Sequence, residues 1–168
     1  MVIRFLLLLA LGGVATPPLW AQPSPQYNIK DRDPPTGSNI RRNITEGSRI
    51  PINRTYGEMS PEEKEAVHSY YEKIETGDEP PFPAEGLRPV HDAIAKAQQT
   101  LLVTGQLMLV ASVGPDGKVT EVKAIGSPSR EMVQAAGSIV ALTRFKPALC
   151  KGTPCKMDFP FLFNFKVQ

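Results

Sequence analysis

The 168-residue sequence has no apolar run long enough to cross a bilayer by itself: Phe5 to Val14 is apolar or glycine throughout, and Pro17 and Pro18 end the stretch. A spanning helix needs about 20 such residues. Histidine is equally scarce. His68 and His91 are the two present, in separate helical segments and without H-E-x-x-H or similar metal spacing. No G-x-S-x-G elbow occurs either, and a helix cap accounts for the serines of Gly126-Ser127-Pro128-Ser129. The paired acids Glu62 and Glu63 open a helix, where the dipole favours carboxylates, while Asp78 and Glu79 fall in a solvated connection. These absences leave no catalytic constellation for a small secreted hydrolase, the enzyme alternative. They point to a non-enzymatic chain without cofactor or metal. Neither sign of charge dominates, since 19 basic and 17 acidic residues give a formal net charge of +2. There is no electrostatic case for nucleic acid or an anionic membrane surface.

What the N-terminus does have is the make-up of an export signal. Arg4 is the only charge in Met1 to Ala21, the apolar run follows it, and Leu19-Trp20-Ala21 offers a cleavage site. The expected location is the periplasm. The alternative is an uncleaved segment retained as a membrane anchor facing the same space. No cysteine follows the signal, so lipid attachment is not expected. The two cysteines, Cys150 and Cys155, lie close together near the C-terminus. In an exported chain a structural disulfide is favoured. A metal or redox pair is the rival, although C-K-G-T-P-C has four residues between the sulfurs and no nearby histidine.

Once the signal is set aside, the length suits one modest domain with extensions. Gln22 to Met59 is rich in proline, glycine, asparagine and charge, and its isolated Ile40, Ile44, Ile50 and Ile52 make no face. Residues 22–59 are read as a flexible tether spanning about 35 Å. The sequons Asn43-Ile44-Thr45 and Asn53-Arg54-Thr55 within it are read as chance tripeptides. Residues 60–82 form an amphipathic helix and a proline-rich connection. Ser60-Pro61-Glu62-Glu63 is a capped start, and Val67, Tyr70, Tyr71 and Ile74 make one stripe, so the helix is expected to reach Glu75. Glu79-Pro80-Pro81-Phe82-Pro83 then forces an extended path.

Residues 83–168 carry the domain. Val90, Ala93, Ile94 and Ala97 place a helix from near Pro89 to Leu101. Gln106 to Val113 and Lys118 to Ile125 are β-prone runs around Gly114-Pro115-Asp116-Gly117, which predicts a hairpin. Met132, Ala135, Ala136, Ile139 and Val140 predict a second helix after a serine cap, running to about Leu142. Finally Cys155, Met157, Phe159, Phe161, Phe163 and Phe165 alternate with Lys156, Asp158, Pro160, Leu162, Asn164 and Lys166. That is a strand with one buried face. Pro160 lacks a donor and so assigns the strand to a sheet edge, where an incoming peptide can add.

The order helix, strand, turn, strand, helix, strand resembles the C-terminal domain of TonB, and three local motifs sharpen the likeness. Gly105-Gln106 opens a strand that leads into the Pro115-Asp116-Gly117 turn; Arg144-Phe145-Lys146-Pro147 is similar to the family's R-[WF]-[KE]-P junction; and the alternating last strand follows a glycine-containing turn. Phe145, beside a proline that blocks helix continuation, would pin the helix end onto the sheet. The resemblance implies an α+β fold, a three-stranded sheet packed by two helices. It also implies binding rather than catalysis, because the family pairs by strand addition with an extended segment of outer-membrane receptors. Carried over, the docking edge is Lys156, Met157, Asp158, Phe159, Pro160, Phe161, Leu162, Phe163 and Asn164, with Pro160 a departure from an ideal edge. The partners implied are an outer-membrane TonB-dependent receptor or another envelope protein, with a homodimer as an additional association. ExbB and ExbD enter only if the N-terminus stays as an anchor, since pulling force needs one; otherwise the chain is a stand-alone periplasmic adaptor.

Overall fold

A computed structural model describes residues 28–29, 39–41, 50–126 and 128–166. The export signal, the first sequon, most of the tether and the serine at 127 lie outside the described residues. In chain order the elements are β1 (Asn28–Ile29), α1 (Pro61–His68), β2 (Phe82–Pro83), α2 (Arg88–Leu101), β3 (Gly105–Val113), β4 (Val119–Ile125), α3 (Arg130–Leu142), β5 (Phe145–Lys146), β6 (Ala148–Cys150), β7 (Thr153–Cys155) and β8 (Met157–Phe165).

The strong local signals each form the element they encode. Ser60 accepts a hydrogen bond from the Glu63 amide, and the Glu63 carboxylate accepts one from the Ser60 amide, so two orphan donors at the start of α1 are satisfied reciprocally. Ser129 caps α3 by accepting from the Met132 amide at 3.1 Å. The turn between β3 and β4 closes with Gly117 N–H donating to the Gly114 carbonyl at 3.0 Å. The Asp116 carboxylate accepts from the Lys118 amide, and that bond holds its pKa below the usual carboxylate range.

The main sheet has the order β1-β4-β3-β8. β3 is central and pairs antiparallel with β4, and with β8 over its whole length, from Gly105 opposite Phe165 to Val113 opposite Met157. The three expected strands are therefore present, and β1 adds a short parallel partner to β4. Two small ribbons, β2 with β5 and β6 with β7, flank the sheet. Leu107, Leu109, Ala111 and Val113 of β3 share a face with the odd-numbered phenylalanines of β8. Against it pack Val90 and Ile94 of α2 and Met132, Val133, Ala136 and Val140 of α3. This is the layered α+β arrangement in which helices cover one face of an antiparallel sheet.

Two expectations are corrected. α1 ends at His68 rather than near Glu75. Beyond it the backbone pairs with residues 39–41 instead: the Arg41 amide donates to the Tyr70 carbonyl at 2.8 Å, the Glu72 amide donates to the Asn39 carbonyl, and Ile40 bridges Tyr71. Tyr70 meets the Phe159 ring and also packs against the cluster of Ile40, Tyr71 and Val110. The second correction concerns the tether. Ile50, Tyr56 and Met59 are buried in the same cluster as the helices and sheet, and Ile40 is buried on the opposite face. Isolated apolar residues with no period of their own thus find a surface supplied by the rest of the chain. Val67 and Phe82 join that core as well, so the packed unit extends upstream of residue 83.

Candidate functional site

Among the described residues β8 has β3 on one side and no strand on the other in the sheet order, an edge position as expected from Pro160. Its phenylalanine face is structural. Phe159 meets Phe82, Phe145 and Phe161 edge-on at 5.6, 5.8 and 5.0 Å between centroids, and Phe163 stacks between Phe161 and Phe165. Such ring pairs add about 0.5–1.5 kcal/mol each beyond their burial. The ring row therefore packs one face of β8 into the core.

The even-numbered residues turn to the opposite face. Asp158 lies across from Ser112, whose hydroxyl donates to the carboxylate at 2.6 Å. The Asp158 main-chain carbonyl accepts from the hydroxyl of Tyr71 at 2.9 Å. Burial pushes that phenol well above its ordinary pKa, and the charge of Asp158 adds to the effect. Pro160 sits opposite Val110 and is buried. An edge strand tolerates it because only alternate amides face a neighbour. Lys156, just before the strand, is exposed.

Of the motif residues, all but Gly105 gather at the turn end of the hairpin. Gly105 opens β3 at φ +122. Gly117 lies against Phe145, whose amide donates to the Gly117 carbonyl at 3.0 Å. Arg144 supplies its carbonyl to the Ala84 amide. The Lys146 ammonium pairs with Glu79 at 2.8 Å and sits 4.7 Å above the Tyr56 ring. Tyr56 has Lys64 on its ring too, and its hydroxyl, 3.0 Å from His68 Nε2, is pushed up to about 12 by burial and then by Glu79. Pro115, Asp116, Gly117 and the Arg144 to Pro147 junction are therefore one scaffold that fixes the start of the last strands, away from the β8 edge. Sequence reasoning missed Tyr56 and Tyr71. Tyr71 falls on the apolar stripe that begins at Val67, and Tyr56 carries no periodic signal.

Cys150 and Cys155 form the disulfide, with Cα atoms 5.8 Å apart across the β6–β7 ribbon. The ribbon is tied to the upstream connection by Leu149 pairing with Glu79, and by the Lys151 amide donating to Asp78 at 2.8 Å. Among the described residues no group of three or more His, Cys, Asp or Glu side chains could hold a metal, and no helix is long and apolar enough to cross a membrane. A groove of about 230 Å³ lies between the start of α2 and the end of α3, lined by Val90, Ile139 and Leu142 with Glu85 and Arg144.

Residues 96–167 match the family model described as the Gram-negative bacterial TonB protein C-terminal. This region is a TonB C-terminal domain. The match begins inside α2 and takes in the hairpin, α3, the Arg144 to Pro147 junction, the disulfide ribbon and β8. Within the TonB C-terminal domain the candidate edge is thus the last strand. α1, residues 39–41 and the Tyr70 to Glu72 segment all precede the matched region. No curated protein matches the chain.

Proposed function

We propose that this protein is a periplasmic protein-binding module of TonB type, and that the outer edge of β8 pairs by strand addition with an extended segment of an outer-membrane receptor. The observation that carries this is a nine-residue strand whose one strand partner among the described residues is β3, with a phenylalanine row packed along one face. Strand addition draws its affinity from main-chain hydrogen bonds, each contributing about 1 kcal/mol net. Side chains on the β8 edge then matter less than an unbroken backbone. The family resemblance supplies the receptor segment as the partner, and the capped, stapled scaffold supplies the rigidity that such docking requires.

The test is titration of the full chain with a synthetic peptide of the receptor's extended N-terminal segment, followed through backbone amide shifts. Shifts concentrated on Phe161 to Phe165, abolished in Leu162→Pro and retained in Leu162→Ala, are expected. Shifts centred on Val90 and Leu142 would place docking in the groove between α2 and α3 and refute the edge.

A further inference from the structure

The disulfide ribbon does not need its disulfide in order to turn. β6 and β7 are joined by Lys151 and Gly152, both at positive φ, 50 and 81. A two-residue loop of that kind matches the twist of its strands and closes the hairpin through the backbone. Within the ribbon Cys150 lies opposite Thr153, and Cys155 lies opposite Ala148. The sulfurs therefore clamp it across a diagonal and close a ring that contains the loop. Both cysteines are half-buried, and the residues between them, Lys151, Gly152, Thr153 and Pro154, are exposed. Each cysteine is also followed by an exposed lysine, Lys151 or Lys156. A neighbouring ammonium stabilises the thiolate that leaves when a disulfide is attacked, and accessible disulfides are the exchangeable ones.

What the ring holds lies on the other side of β6. The Leu149 amide donates to the Glu79 carbonyl at 2.9 Å, and the Glu79 amide donates back to the Leu149 carbonyl at 2.8 Å. The Lys151 amide, inside the ring, donates to the Asp78 carboxylate at 2.8 Å. β6 is thus the middle of three extended segments, with β7 on one side and the Asp78–Glu79 connection on the other. That connection precedes the region matched by the TonB C-terminal family, to which the ribbon belongs. A two-stranded ribbon with three residues a side is marginal in water by itself. We propose that Cys150–Cys155 is a thiol–disulfide exchange site for an external protein dithiol, and that its reduction loosens the hold of the ribbon on the Asp78–Glu79 connection. One thiolate of the dithiol attacks a cysteine sulfur, forming a mixed disulfide as the Cys150–Cys155 bond breaks and the other cysteine leaves as a thiolate. The second thiol of the reductant then closes its own disulfide. Both cysteines end as thiols, having gained two electrons and, from solvent, their protons. Outside the ring Lys146 keeps its pairing with the Glu79 carboxylate, and Phe82 stays against Phe159, so the release is local.

The experiment treats the full chain with dithiothreitol at neutral pH, stops samples with iodoacetamide and counts alkylated cysteines by mass. The same chain unfolded in urea sets the unrestrained rate. Native reduction within about a hundredfold of that rate is expected, because a chain that must unfold first lags by more than about a thousandfold. Lys151→Gln with Lys156→Gln should slow the native reaction about threefold. In the reduced chain, and in Cys150→Ser with Cys155→Ser, backbone order parameters should fall from about 0.85 to below about 0.6 at Asp78, Leu149 and Lys151, with Leu109 and Val133 unchanged. A native rate more than about a hundredfold below the unfolded one would overturn the exchange site. Unchanged order parameters at Asp78 and Leu149 would make the bond a staple of its own loop and overturn the coupling. A fall that reaches Leu109 and Val133 would make it a support of the whole fold and overturn the coupling too. None of these outcomes bears on the β8 edge, so the two proposals stand or fall separately.

Discussion

Replacing Gly117 by alanine tests whether the Pro115-Asp116-Gly117 turn is a scaffold for the last strands or merely a tolerant loop. Gly117 holds φ +73, a left-handed conformation that costs an L-residue about 1–2 kcal/mol. A β-carbon placed there would also fall on the Phe145 carbonyl oxygen, far inside van der Waals contact. Relief requires the turn and β5 to part. That breaks the 3.0 Å bond from the Phe145 amide to the Gly117 carbonyl, about 1 kcal/mol net, and loosens the Phe145 ring from Phe159 and Phe161. Together the loss is about 3–4 kcal/mol, a large share of a total stability that is typically about 5–15 kcal/mol. Gly152 is the internal control, because it holds φ +81 with nothing within 4 Å of an added β-carbon. Gly152→Ala should lose only the conformational part, about 1–2 kcal/mol. Urea unfolding at unchanged m-value measures both. If the two alanine variants fall within about 0.5 kcal/mol of each other, the turn does not bear on β5 and the scaffold account fails.

Three further outcomes are expected. Cys150→Ser with Cys155→Ser should lower stability by about 2 kcal/mol, the chain-entropy value for a loop this small, and reductant should bring the unsubstituted chain to the same urea midpoint. Phe159→Ala removes the ring that touches Tyr70, Phe82, Phe145 and Phe161 and should cost about 3–5 kcal/mol; Phe159→Leu should cost less than half of that, and equal losses would argue against the ring cluster. His91 lies against Phe163, and burial lowers its pKa despite the opposing pull of Asp92. The unfolded chain takes up that proton first as pH falls. His91 therefore contributes fully above about pH 6.5, and its contribution is lost as pH drops through the depressed folded value. His91→Gln should flatten the decline in urea midpoint between neutral and mildly acidic pH.

The parts of this fold that were legible in the sequence are those whose cause lies within a few residues. Ser60 with Glu63 and Ser129 with Met132 are caps closed within one helical turn. The β3–β4 turn closes over four residues, the disulfide spans a sequence separation of 5, and the alternation from Met157 to Phe165 marks a face whatever covers it. Pro160 even placed its strand at an edge, because a missing amide hydrogen is a property of one residue. What tertiary structure decided are the contacts between distant positions. Tyr71 reaches Asp158 across 87 residues and bridges Ile40, and α1 ends at His68 although the apolar spacing runs on towards Glu75. Ile40, Ile50, Tyr56 and Met59 have no local period, yet each is buried, because the surface they cover is assembled from strands and helices far along the chain. Periodicity states which face of an element is apolar. Only the closed fold states what lies against that face, and therefore how much of the β8 edge is left for a partner.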